Sequence, residues 1–257
     1  MKNLPMMLIG AASACLTMPA AAQVSNVVYT ISASSSLGSA SLSFTQSDAE
    51  VTDNGDGSYT LSFSGATDLV DAGTGNVIAT LTGATALLDP GGSGVDPRVN
   101  LGFSLENGDA ASEISVTSGT TTFVPPFPSG QAFAAGSVTL TTGNDSMVMA
   151  DGLIDDEFFY GGYTDLSSAG NPDFPFSNAA ALLLPNTVQT SSSDVQSDVF
   201  PMSPIGGPFD TIASTFEFEV SANAQISGTS TFTVVPTPGS LALLGLAGIA
   251  AARRRRV

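Results

Sequence analysis

Four carboxylates, Asp151, Asp155, Asp156 and Glu157, run directly into Phe158-Phe159-Tyr160. Hard oxygen donors this close in sequence could hold Ca²⁺, which takes about six to eight oxygens at roughly 2.3 to 2.6 Å. The spacing lacks the glycine and terminal glutamate of an EF-hand loop, and a solvated acidic loop is the competing reading. Asp53-Asn54-Gly55-Asp56-Gly57 has a similar look, but glycine stands where alternate ligands would be needed, so it reads as a hairpin turn. Phe158, Phe159, Tyr160 and Tyr163 could stack on sugar rings, although packing in a core explains them more simply. Two carboxylates about 5 to 9.5 Å apart across a cleft could hydrolyse a glycoside. A chain with 23 acidic residues offers such pairs by chance. No Asp-Thr-Gly or Asp-Ser-Gly occurs, which disfavours an aspartic protease.

Missing residue types narrow the chemistry further. The chain has no His and no Trp, its one Cys is Cys15, and its one Lys is Lys2. Beyond the first residues there is therefore no Ser-His-Asp, Cys-His or Ser-Lys system. Zinc sites, which rest on His and Cys in nearly every case, go with them. Charge is equally one-sided. All 23 acidic residues lie between Asp48 and Glu219, where Arg98 is the one cation. Such a body repels nucleic acid and anionic headgroups, and ion pairs cannot organise it. Its self-repulsion predicts greater stability in salt or with divalent cations.

The elements that must position these groups read as strands. Short alternating runs, cut by Gly, Asn, Asp and Pro, cover Val24–Ser32, Ser39–Thr45, Ser58–Ser64, Asn76–Leu88, Val99–Leu105, Glu113–Phe123 and Ser137–Thr142. Val124-Pro125-Pro126-Phe127-Pro128 reads as an interrupting loop. Thr215–Val220 alternates without fault, which puts Phe216, Phe218 and Val220 on one face and Glu217 and Glu219 in water. Ala224–Val235 is the expected hairpin partner. Many short strands with turn-rich connections imply an all-β antiparallel β-sandwich over residues 23–234, with a jelly roll or barrel as the alternative. Residues 151–208, dense in Gly, Pro, Asn and Phe, read as a long loop-rich insertion, with Ser191-Ser192-Ser193 and Asp194 in a solvated linker.

The two ends have a different character. Lys2, the apolar stretch Met6–Leu16 and Pro19-Ala20-Ala21-Ala22 have the layout of a secretory signal peptide over residues 1–22. Ala20 and Ala22 are the small residues a signal peptidase accepts, so the mature chain begins at Gln23. A lipoprotein box at Ala12-Ser13-Ala14-Cys15 is the lesser alternative. At the other end, Gly239–Ala252 would span about 21 Å as a helix. That makes a short transmembrane helix against a hydrocarbon core of about 30 Å. Arg253, Arg254, Arg255 and Arg256 would remain on the cytoplasmic side, leaving the body outside.

Proline motif, short apolar run and arginine cluster together resemble the PEP-CTERM sorting signal of Gram-negative bacteria. Pro236, Thr237, Pro238 and Gly239 occupy the motif, with Thr237 where that family usually has glutamate. The resemblance covers about 22 of the 257 residues, from the motif to the end of a 235–257 tail. It implies sorting by an exosortase, a membrane transpeptidase acting near the motif, and a setting among surface or exopolysaccharide-associated material. It carries no active site, since the bodies of that family are diverse. With the Sec translocon and signal peptidase as earlier partners, the chain reads as an exported structural or adhesive protein. Its stay in the inner membrane would be transient, and its destination the cell surface or extracellular matrix. Polysaccharide or Ca²⁺ are its candidate ligands, with no resident cofactor and no nucleic-acid partner. The alternative is a secreted carbohydrate-active enzyme using two carboxylates.

Overall fold

The computed structural model describes residues 23–91, 96–142, 148–154, 158–164, 174–177, 182–184, 191–197 and 203–236. These form sixteen strands, every pairing antiparallel, and no helix among them is long and apolar enough to cross a membrane. The signal-peptide residues Ala20 and Ala22 lie outside the described residues, as do Thr237, Pro238, Gly239 and Arg253–Arg256.

Two sheets pack face to face. In the first, β2 (Val27–Ser35) lies between β3 (Gly38–Thr45) and β8 (Ser112–Ser118), and β8 pairs with the second half of β15 (Ser203–Val220). Beyond β15 this sheet continues through β11 (Phe158–Thr164) to β12 (Phe174–Ser177), and through β10 (Val148–Gly152) to β13 (Leu182–Leu184). The second sheet runs β4 (Val51–Asp53), β5 (Tyr59–Val70), β6 (Val77–Asp89), β7 (Arg98–Asn107), β16 (Ala224–Pro236), β9 (Thr121–Thr142) and β14 (Ser191–Ser197). The sheets join because β9 and β15 are long: their first halves pair with each other and their second halves diverge into opposite layers. Short β1 (Gln23–Val24) adds to β9 at this seam.

Alternation explains which faces meet. In β7, Val99, Leu101, Phe103 and Leu105 point inward; in β16, Ala224, Ile226, Phe232 and Val234 do so. In β6 the inward set changes from Ala79 and Leu81 to Ala84, Ala86 and Leu88, because a register shift beside Thr82 inserts one residue and reverses the parity. Across the layers, Phe103 stacks on Phe218 (5.5 Å, 17°) and meets Phe216 edge-on (5.1 Å, 71°). Its ring lies over Gly228, the residue opposite it on β16, where a Cβ would stand 2.5 Å from Phe103 Cε1. Phe232 presses on the other layer in the same way, since a Cβ on Gly162 would meet its Cδ2 at 2.7 Å.

Three local expectations are corrected. The proline run at Val124–Pro128 is inside β9. The ladder to β15 shifts register on either side of the Phe209–Phe127 pair, so no regular bonding is asked of the prolines, which lack an N–H. Ser191–Ser197 is no linker, because its backbone pairs with Thr141 through Ala135 of β9. More generally, the described parts of residues 151–208 are strands within the two sheets. Finally, β15 and β16 do not form a hairpin. Each already has ladder neighbours on both sides, so Ser221-Ala222-Asn223 carries the chain from one layer to the other. Four Cα steps reach about 13 to 14 Å, enough to cross the roughly 10 Å between sheets. Asn223 adopts φ 58° there, and Asn107 Nδ2 donates to the carbonyls of Ala110, Val220 and Ser221 at 2.9 to 3.1 Å, holding the arch from beneath.

Candidate functional site

The outward face of the first sheet is made of hydroxyls and carboxylates. Inward positions of β2, β3, β8 and β15 are apolar, which turns Thr30, Ser32 and Ser34, Ser39, Ser41 and Ser43, Glu113, Ser115 and Thr117, and Glu217 and Glu219 to the other side. Register brings them into rows across the strands. Ser43, Thr30, Thr117 and Thr215 form one, linked by hydroxyl contacts from Thr30 to Ser43 (3.0 Å) and Thr117 to Thr215 (2.9 Å). Ser41, Ser32, Ser115 and Glu217 form the next; Ser39, Ser34, Glu113, Glu219 and Asp151 form the third.

A groove of about 720 Å³ lies over the second and third rows, walled by Leu153 on one side and by Val70 and Ala72 on the other. Glu217 is half-buried there, and loss of hydration pushes its carboxyl above the usual glutamate value. The alternation of Thr215–Val220 assigned both glutamates to water; of the two, Glu219 is exposed and Glu217 is partly covered. The cause is β10, whose following residue Leu153 donates its N–H to the Glu217 carbonyl (3.0 Å) and closes that end of the groove. Glu113 and Glu217 are diagonal neighbours on β8 and β15, a separation of about 7 to 8 Å in an antiparallel ladder.

The β5–β6 turn that brings Val70 and Ala72 to the other end of the groove is held by Asp71. Its Oδ1 accepts the N–H groups of Gly73 (3.0 Å) and Thr74 (2.7 Å) and the Thr74 hydroxyl (2.8 Å), and its Oδ2 accepts the Ser39 N–H (3.0 Å) from the edge strand β3. The Ser39 bond and those to Thr74 and Gly73 hold the Asp71 pKa down to about 2. At the far end of the same edge, Asp48 Oδ2 accepts from Thr45 N–H (2.5 Å) and from its hydroxyl (2.9 Å), which lowers its pKa as well.

Of the calcium candidates, Asp151 is on β10 directly opposite Glu219, while Asp155, Asp156 and Glu157 lie outside the described residues. Among the described residues no three acidic groups gather as a metal site would require. Asp53 and Asp56 close the β4–β5 turn: Asp53 accepts from Gly55 N–H (2.8 Å), and Asp56 from Ser58 N–H (2.9 Å) and its hydroxyl (2.6 Å). Phe159, Tyr160 and Tyr163 are buried, so these three are core and offer no face to a sugar. Burial raises the Tyr160 pKa, opposed weakly by the neighbouring Ser230 and Ser214. Gln23 opens β1, Pro236 ends β16, and Arg98 pairs with Asp89 across β6 and β7 (3.3 Å).

The serines of the groove were not singled out in the sequence. The signal that could have found them is the recurrence of Ser or Thr at every second position of Thr30–Ser34 and Ser39–Thr45, which gives β2 and β3 one wholly hydroxylated face.

No protein-family model matches the chain, and no curated protein sequence matches it. Solved structures are similar only distantly. A bacteriophage CBA120 tailspike protein 4 enzymatically active domain is 11% identical with a TM-score of 0.23, over 73% of this chain and 20% of the tailspike chain. The structure of infectious bursal disease virus Gt strain gives 11% identity and a TM-score of 0.21, over 84% of this chain and 67% of the viral one. The VP2 subviral particle of infectious bursal disease virus gives 11% and 0.19, over 90% and 75%.

Proposed function

We propose that this chain is an exported structural or adhesive β-sandwich, carried out by an N-terminal signal peptide, held briefly in the inner membrane by a C-terminal sorting tail, and delivered to the cell surface or extracellular matrix. What supports the reading is the sequence at the two ends, a signal-peptide layout before Gln23 and a proline motif, apolar run and arginine cluster from Pro236 onward, with an all-β antiparallel body between them. An acidic surface, one cation already paired with Asp89, and a hydroxyl-lined groove fit a neighbour that is polar and not itself anionic, such as a neutral polysaccharide. Intact mass of the protein from its native host, fractionated into inner membrane, surface and medium, tests the reading. Loss of residues 1–22 and of the arginine tail, in material outside the inner membrane, is the expected result. A species that keeps Arg253–Arg256 and stays in the inner membrane would make the tail a plain anchor.

A second reading, a secreted carbohydrate-active enzyme, draws on Glu217 and Glu113 at diagonal positions in one groove, the former with a raised pKa. Release of reducing sugar from extracellular polysaccharide by the wild type but not by Glu217→Gln would favour it.

A further inference from the structure

The second sheet also has an outward face, and its centre carries no charge. In β16 the buried positions Ile226, Gly228, Ser230 and Phe232 turn Ser227, Thr229 and Thr231 to that side. Register sets Thr229 between Ser137 of β9 and Gly102 of β7, and beyond Gly102 come Thr85 of β6 and Ser62 of β5. The row through Ser227 crosses the same strands from Thr139 to Ser64, and the row through Thr231 crosses them from Ala135 to Thr60. None of the three rows holds an ionisable side chain. With about 4.8 Å between strands and about 6.7 Å between alternate residues, these rows make a plane of about 19 by 13 Å.

Along the strand direction the bordering rows do carry charge, and there each charged group is engaged. At one border Arg98 pairs with Asp89 (3.3 Å); at the other Glu106 accepts from Gln225 Nε2 (2.9 Å) and Asp68 from the Thr80 hydroxyl (2.7 Å). Within the plane Ser62, Thr85 and Thr229 are exposed, and the Ser137 and Thr229 hydroxyls meet at 3.0 Å. A Cβ on Gly102 would collide with Thr85 Oγ1, so the row dips between Thr85 and Thr229.

A hydroxyl both donates and accepts, and a plane of hydroxyls without charge offers no counter-charge to an ion. The formal charge of −17 on the chain holds anionic polymers away from either side. What suits such a plane is an uncharged polymer that itself donates and accepts, and a neutral glycan does both. Each contact replaces bonds to water, so one face alone grips weakly and gains from repetition. The groove on the first sheet opens on the opposite side of the sandwich, because the two sheets meet through their apolar faces. Resting on the adhesive reading above, we propose that this plane is a second neutral-glycan contact, set back to back with the groove, so that one molecule ties two chains together.

The test uses the full-length chain in mild detergent, with dextran, galactomannan and hydroxyethyl cellulose as neutral probes and alginate as the anionic one. Retardation in a gel containing the polymer reports any contact, whereas a rise in the viscosity of the polymer solution needs two contacts per molecule. The wild type is expected to be retarded by a neutral probe and to raise its viscosity, and to do neither with alginate. Thr85→Glu with Thr229→Glu is expected to abolish the viscosity rise and keep part of the retardation, and Ser34→Gln with Ser41→Gln to do the same from the groove side. Thr85→Ser with Thr229→Ser is expected to keep both, which separates a lost contact from a lost fold. An undiminished viscosity rise in the Thr85→Glu, Thr229→Glu chain, or retardation of the wild type with no viscosity rise, would overturn the second contact and leave the adhesive reading intact. A wild type that no neutral probe retards would overturn glycan adhesion itself, and this proposal with it.

Discussion

β3 and β16 face the same demand, that every backbone N–H and carbonyl find a partner, and meet it by opposite means. β16 sits between β7 and β9 and is satisfied on both flanks by other backbone. β3 has β2 on one flank only, and at each end of its open flank a carboxylate takes an outward N–H: Asp71 at Ser39 and Asp48 at Thr45. A strand satisfied by ladders depends on packing, whereas one satisfied by side-chain carboxylates depends on charge. Capping an open edge in this way also blunts it as a template for another chain.

The largest expected effect is in the centre. Phe232→Ala removes a fully buried ring that rests on Gly162 and is expected to cost about 3 to 5 kcal/mol, measured by urea unfolding at neutral pH. A cost under about 1 kcal/mol would mean that the two layers are not locked at this point. Asn107→Ala comes next, because it strips the arch of three donated bonds; about 1 to 3 kcal/mol is expected, with faster amide exchange at Ser221 and Asn223.

At the edge the effects are smaller and follow pH. Asp71 has a folded pKa of about 2, below its ordinary 3.8, so its contribution is complete above the ordinary value and disappears as pH falls through about 2. Asp71→Asn is expected to raise exchange at Ser39 at neutral pH and to converge on the wild type as pH falls below 2, while exchange in β16 is unchanged at both. Equal protection of Ser39 in the two proteins at neutral pH would remove the contrast between the strands. Smallest is Glu217→Gln. With its folded pKa raised, the wild-type carboxyl costs stability as pH rises from 4.5 through the folded value. The variant is expected to be slightly more stable at pH 7 and no different below pH 4, by thermal unfolding across that range.

The contrast also marks what could be read from the sequence. Alternation is a local property, and it located β3, β6, β7 and the inward Phe216, Phe218 and Val220 within a few residues of their observed bounds, whereas the run Glu113–Phe123 joined β8, which ends at Ser118, to the start of β9. The Asp53–Gly57 turn was equally legible, since Asx bonding and positive φ are decided by neighbours in the chain. Partner choice is not local. Nothing in Ala224–Val235 says whether it folds back on β15 or crosses to the other layer, because an arch and a hairpin can use the same short polar connection. Nor does the Ser191–Ser197 segment carry an apolar rhythm; its ladder with β9 depends on a strand some fifty residues earlier. The groove escaped notice for a related reason, since its serines come from three strands and adjoin only after the register is set.

Because β16 is paired along its whole length with β9 and over Gln225–Thr233 with β7, a pull applied at Pro236 is directed along the strand axis. Both ladders would then be loaded in shear, all bonds together, and could not be peeled one at a time from an edge. A protein joined to a surface through this residue would be attached at a strand held by two ladders, while a pull applied through β3 would meet only one ladder and two carboxylates.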